Sequence, residues 1–252
     1  MWRGRPRARI LTLLSALTRT RAPAPHNFRM LLLAADTSGK HGTIALVRCG
    51  PDSACHVIEV VPLDGRTFSA QLVPQIAALL AKHGLGKEDI GGFAVVSGPG
   101  SFTGVRVGLA AIKALGEVLQ KPIAAVSLLE AVAVSGGSAG KITAVLDAGR
   151  TEVYAGEYDV DGDAAVFVQE RLLPKTRWLE TALGSTVITP DDKLAEAARA
   201  AGLPVDEIAL PRSDVIARLG WKKIRDGIIV SPESLDANYL RSSSEMFAKS
   251  SS

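Results

Sequence analysis

From Met30 the chain runs through an apolar stretch, Leu31 to Ala35, then the polar Asp36-Thr37-Ser38-Gly39, then a second apolar stretch, Thr43 to Val47. Strand, tight polar turn and strand predict a β-hairpin with an aspartate at its mouth. A third β-rich run covers His56 to Val61, and Leu63-Asp64-Gly65-Arg66 turns the chain. Between Ser69 and His83 the apolar residues Leu72, Val73, Ile76, Leu79 and Leu80 fall on one face of a helix, with Pro74 early enough to be tolerated. Phe93 to Val96 predicts a buried strand. The glycine-rich stretch after it opens a second long helix over Val105–Leu119, whose Val105, Leu109, Ile112, Leu115 and Leu119 form another stripe.

The low-complexity segment Ser135 to Gly140 then reads as a loop between two units. Beyond it, Ile142 to Leu146, Asp147-Ala148-Gly149-Arg150 and Glu152 to Tyr158 repeat the opening pattern of strand, aspartate-led turn and strand, 111 residues after the first. A weak internal duplication is expected. The second unit continues with a hairpin turn at Asp161-Gly162-Asp163, a strand at Val187-Ile188, and amphipathic helices near Lys193–Ala201 and Pro211–Arg225. This alternation predicts an α/β layer sandwich. The expected organisation is a basic extension over residues 1–29, one lobe over 30–134, a second over 135–241 whose last segment can return to the first, and a serine-rich tail over 242–252.

Charge changes the picture at one end only. The 252-residue chain has a formal net charge of +3, but residues 1–29 carry seven arginines and no lysine, aspartate or glutamate. The remainder holds 22 basic and 26 acidic side chains, a net of −4, so a basic nucleic-acid surface on the body is not implied. The extension reads as a start called too early, with Met30 the first residue, or as an organelle-type presequence or basic tail; Arg19 and Arg21 argue against a signal peptide. No apolar run approaches the roughly 20 residues that span a bilayer, and a cytoplasmic location is expected. Cys49 and Cys55 flank a turn signal and could bridge across a hairpin, but two free thiols in a reducing compartment are expected.

The stretch Ser97 to Gly108, Ser-Gly-Pro-Gly-Ser-Phe-Thr-Gly-Val-Arg-Val-Gly, is the richest in candidate chemistry. Strand, small residues and helix start can aim backbone N–H groups at an anion. The same residues can equally form a tight structural turn, with Ser101 or Thr103 as the helix N-cap. Gly98, Gly100 and Gly104 miss the dinucleotide-binding spacing by one residue, and no Walker A loop is present. Asp36 and Asp147 could hold a hydrated metal on a nucleotide phosphate, or each could close its own turn; closure is favoured for both, more strongly for Asp147. Gly136-Gly137-Ser138-Ala139-Gly140 matches the nucleophile-elbow pattern with its flanking elements inverted. His26, His41, His56 and His83 have no metal-ligand spacing, so no metal site is expected.

Five segments together resemble, in order, the TsaB (YeaZ) family: Ala35-Asp36-Thr37-Ser38, Phe68 to Pro74, Gly98 to Gly108, Asp147-Ala148 with Glu152-Val153-Tyr154, and Tyr239-Leu240-Arg241. The resemblance implies a duplicated actin/Hsp70-like (ASKHA) fold, two lobes of mixed sheet flanked by helices. It also implies a part in making N6-threonylcarbamoyladenosine at position 37 of tRNAs that read ANN codons. The family's subunit is non-catalytic: it pairs with the catalytic paralogue TsaD, the ATPase TsaE joins the pair, and tRNA is met through the complex only. TsaD carries an iron-ligating His-x-x-x-His element that this sequence lacks. No cofactor is required, although the assembled complex can bind ATP or ADP, and a homodimer is expected when the subunit is alone. Two positions depart from the family: Phe68 stands where histidine is usual, and Gly149 where arginine is usual, with Arg150 one place later.

On this reading Asp36, Thr37, Ser38, Gly98, Gly100, Ser101, Thr103 and Gly104 are the candidate nucleotide or anion site. The expected partner interface is a helix pair offering Leu72, Val73, Ile76 and Leu80 from one helix and Val105, Arg106, Leu109, Ile112, Leu115, Gly116 and Leu119 from the other. Charges at Leu109 and Ile112 should then abolish association and leave a folded monomer. The competing functions are a phosphotransferase of the same fold class, which would need a paired-glycine adenosine turn where Gly184, Gly202, Gly220 and Gly227 are isolated, and a metallopeptidase, which would need a ligand set the histidines do not form.

Overall fold

The computed structural model describes residues 30–50, 54–64 and 67–240; the basic extension, the serine-rich tail, Arg241 and the turn residues Pro51, Asp52, Ser53, Gly65 and Arg66 lie outside the described residues. The opening hairpin forms as β1 (Met30–Asp36) and β2 (His41–Cys49), followed by β3 (Cys55–Asp64), α1 (Phe68–Lys82), β4 (Gly92–Gly98), α2 (Phe102–Leu119), β5 (Ile123–Ser127) and α3 (Leu128–Ser135). After the glycine-rich loop come β6 (Gly140–Asp147), β7 (Glu152–Asp161), β8 (Ala164–Pro174), the single turn α4 (Trp178–Thr181), β9 (Thr186–Thr189), α5 (Asp192–Ala200), β10 (Val205–Glu207) and α6 (Ser213–Arg225).

The two sheets have one topology. The first has the order β3-β2-β1-β4-β5, and the second, β10-β9-β6-β7-β8, is the same order in reverse. β1 pairs antiparallel with β2 and parallel with β4, as β6 does with β7 and β9. The molecule is a duplicated actin-like fold of two mixed sheets with flanking helices. Because β1 is apolar at every position from Leu31 to Ala35, both faces of the first sheet demand cover. Leu31, Leu33 and Ala35 pack with Ile44, Phe93 and the inner sides of α1 and α2. Leu32 and Ala34 pack on the other face in a core that includes α3, α6 and residues Ile142, Ala144 and Tyr158 of the second sheet. α6 follows the second sheet in sequence yet lies against β1, β2, β4 and β5. α3 and α6 therefore form the layer between the two sheets. Val145, Val153 and Val187 are covered on the far side by Trp178 of α4 and Leu194 of α5.

Three sequence expectations are corrected. The helix stripes face inward: Leu72, Ile76, Leu80, Val105, Leu109 and Ile112 are buried in the protein's own core, and Leu115 and Leu119 pack partly against it. Covering the first sheet consumes them, so charges at Leu109 and Ile112 would unfold the monomer rather than spare it. Gly116 is buried too, close against Ile123. Second, α2 begins at Phe102 rather than Val105, since the Ser101 side chain caps it by accepting from Gly104 N at 3.3 Å. Third, Cys49 and Cys55 are bonded rather than free. They stand directly opposite each other on β2 and β3, with Cα atoms 4.1 Å apart.

Candidate functional site

The β1–β2 turn and the start of α2 are one packed unit. Asp36 Oδ1 accepts from Ser38 N at 2.8 Å and from Ser38 Oγ at 2.6 Å, closing the turn on itself. Thr37 Oγ1 donates to Gly104 O at 2.7 Å, and Ser101 N donates to Ser38 O at 2.7 Å. The glycines serve this contact: a Cβ on Gly104 would lie 2.1 Å from Thr37 O, and one on Gly100 2.6 Å from Ser38 O. The structure thus brings Asp36, Thr37, Ser38, Gly100, Ser101 and Gly104 together, with Gly98 at the end of β4 and Thr103 exposed beside them. What this arrangement most directly does is lock a hairpin onto a helix N-terminus, because the carboxylate and the cap already have their partners.

Burial pushes the Asp36 carboxyl above its ordinary value, and the two hydrogen bonds from Ser38 only partly oppose it. The sign follows directly. A folded-state value raised above the unfolded one favours folding at pH below the unfolded value, and that advantage is lost as pH rises through the folded value. Asp36→Asn keeps an acceptor for Ser38 and removes the buried charge. We expect the variant to be at least as stable as the parent at pH 7 and to lose that relative advantage near pH 3, measured by urea unfolding at both pH values.

Between the lobes lies an open cleft of about 970 Å³, lined among others by Ser38, Lys40, His41, Ser101, Asp147 and Tyr154. Asp36 is buried and does not line it. Asp147 stands at its edge, where burial would raise its carboxyl, but hydrogen bonds from Lys175 (2.7 Å) and Gly149 N (3.1 Å) outweigh burial and hold it below the ordinary range. Each aspartate closes its own turn. Among the described residues no three His, Cys, Asp or Glu side chains gather closely enough to hold a metal ion. No helix among them is long and apolar enough to cross a membrane.

The two departures noted in the sequence have local accounts. The Phe68 ring, at the first position of α1, packs over Gly42 so closely that a Cβ there would lie 2.8 Å from it. Gly149 sits at φ +78° ahead of Arg150 at φ +54°, a left-handed pair that turns β6 into β7, with open space around Gly149.

The outward faces of α1 and α2 show what the inward stripes could not. From Phe68 to Ala81 α1 contains no charged residue, and its exposed positions are Ser69, Ala70, Val73, Pro74, Ala77, Ala78 and Ala81. Val73 is 52% exposed, and on α2 Val118 is 75% exposed. By contrast α5 carries Asp192, Lys193, Glu196 and Arg199, and α6 carries Asp214, Arg218, Lys222, Lys223 and Arg225. Of the expected interface residues, Val73 and Arg106 are the ones that face solvent. The sequence signal for the rest of this face was present as a missing charge rather than as an apolar stripe.

Comparison with known proteins gives consistent relationships. Residues 60–218 match the family model described as "TsaD: tRNA N6-adenosine threonylcarbamoyltransferase". The chain is 35% identical over 153 residues to the tRNA threonylcarbamoyladenosine biosynthesis protein TsaB of Bacillus subtilis, covering 60% of this chain and 65% of that one. It is 28% identical over 225 residues to the Escherichia coli protein of the same name, covering 84% and 95%. The chain thus spans just under two thirds of the first relative and nearly all of the second. Among solved structures, YeaZ from Pseudomonas aeruginosa superimposes with a TM-score of 0.67 at 25% identity, covering 82% of this chain and 99% of that one.

Proposed function

Since the chain belongs to the tRNA N6-adenosine threonylcarbamoyltransferase family, on its TsaB/YeaZ branch, we propose that it serves threonylcarbamoyladenosine synthesis as a non-catalytic dimerisation and activating subunit. It docks a TsaD-like catalytic paralogue through the outer face of α1 and α2, a TsaE-like ATPase joins the pair in the cytoplasm, and tRNA is met through the assembled complex. The single observation that carries this reading is the uncharged outer face of α1. A solvated helix ordinarily alternates charges on its open side, as α5 and α6 do, and depletion of charge marks the centre of an interface. In the absence of the paralogue the same face is available to a second copy, giving a homodimer.

The subunit requires no cofactor of its own. Its glycine turn is packed against the β1–β2 hairpin, with Ser101 N donating to Ser38 O and Gly104 O accepting from Thr37 Oγ1, and nucleotide binding by the assembled complex, ATP or ADP, engages surfaces completed by the partner. The test is reconstitution: purified TsaD-like and TsaE-like proteins, tRNA, ATP and threonylcarbamoyl donor, with and without this chain. We expect modification of A37 to fall at least tenfold when it is withheld. An undiminished rate in its absence would overturn the proposal.

A further inference from the structure

Beyond α6 the chain returns to the first lobe. Val230 bridges to Ile123 of β5, Leu235 is buried beside α2 residues in the first core, and Asn238 N donates to Ser97 O at 2.7 Å. Tyr239 then stacks on Phe102, ring centroids 5.3 Å apart, and its hydroxyl accepts from Arg106 Nε at 2.6 Å. The Arg106 guanidinium lies 3.8 Å from the centroid of the Phe102 ring. Phe102 and Tyr239 are 36% and 37% exposed, and among the described residues no carboxylate pairs with Arg106. An exposed arginine held against two aromatic rings, with no acid among the described residues paired to it, is a preorganised fork for a carboxylate.

The strap is tied to the second lobe by Glu170 of β8. Its Oε2 accepts from Asn238 Nδ2 at 2.7 Å, while its Oε1 accepts from the hydroxyls of Ser127 and Tyr158. Burial, then the neighbouring Glu170, push the Tyr158 phenol far above its ordinary value, so it stays protonated and donates. We propose that Phe102, Arg106 and Tyr239 form a docking platform that receives an acidic side chain of the partner, and that Glu170, acting through Asn238, is the positioning residue that holds it assembled. This rests on the proposed docking role of α2. It adds the chemistry the partner must bring and a link from the second lobe to the docking helix.

The experiment is a titration of the full chain against the TsaD-like partner by calorimetry at two salt concentrations. Arg106→Gln is expected to weaken binding roughly tenfold, the order of one charged hydrogen-bonded pair, and to flatten its salt dependence. Asn238→Ala keeps the backbone bond to Ser97, so the strap stays in place, and a loss of similar size is expected. Glu170→Ala combined with Asn238→Ala should lose little more than either alone, and Glu170→Gln, which retains an acceptor for Asn238, should bind within about twofold of the parent. Parental affinity and salt dependence in both Arg106→Gln and Asn238→Ala would overturn the platform while leaving the α1 docking face intact. A parent chain that fails to bind the partner would remove both.

Discussion

Gly104→Ala is expected to destabilise the protein by about 3 kcal/mol, although alanine is the better helix former at this helical position by about 1 kcal/mol. The added methyl has no free volume: it would sit 2.1 Å from the Thr37 carbonyl oxygen, a backbone atom that cannot rotate aside. Relief requires either the β1–β2 turn or the first turn of α2 to move. Movement of either one breaks the 2.7 Å bond from Thr37 Oγ1 to Gly104 O, and with it a contact worth about 1 kcal/mol. For a chain of this size a change of that order corresponds to roughly 6–12 °C in melting temperature. Gly137→Ala is the control. Its Cβ would meet nothing within 4 Å, and the expected effect is neutral to slightly stabilising. Paired thermal melts decide the matter, and a Gly104→Ala melt within 2 °C of the parent, roughly the shift from about 0.5 kcal/mol, would show that the hairpin and helix are not locked together.

The architecture was legible because period and turn chemistry agree along most of the chain. The repeat of Asp36 by Asp147, with apolar runs on both sides, pointed to two copies of one topology, and the two sheets have it. The parts that were not legible share a cause: burial depends on which elements meet, and periodicity is silent about that. Leu109 and Ile112 lie on a stripe that would suit a partner helix or a sheet equally well, and the first sheet, apolar on both faces, claimed them. α6 has the periodicity of a surface helix, yet it lies with α3 in the layer between the sheets, with charges on one side and Ile216, Leu219 and Trp221 buried on the other. The glycine turn was ambiguous for another reason. A loop that cradles an anion and one that admits a second backbone both need residues without a Cβ, and only the position of Thr37 and Ser38 distinguishes them. The Glu170–Asn238 link joins residues 68 apart in sequence and carries no local pattern at all.

Val73→Glu combined with Ala77→Glu is expected to abolish pairing with the TsaD-like partner, weakening it at least a hundredfold, about 2.7 kcal/mol, while leaving the monomer's stability within about 0.5 kcal/mol of the parent. Both residues are exposed on α1 and point away from the first-sheet core. In the free chain the new carboxylates remain in water and cost little. In a complex that covers this face they would be desolvated without a partner, a penalty of several kcal/mol per charge that the interface cannot relieve by small shifts. Leu109→Glu with Ile112→Glu separates the two roles of the helix pair: it also abolishes association, but by unfolding the chain, because those side chains are 6% and 0% exposed beneath the sheet. Val166→Glu, a charge on the far lobe at a residue 67% exposed, should change neither property. Pull-down by the tagged partner, read alongside a melt of each variant, distinguishes the cases. Should the doubly charged α1 chain still bind as the parent does, the uncharged face of this helix is not where the partner sits.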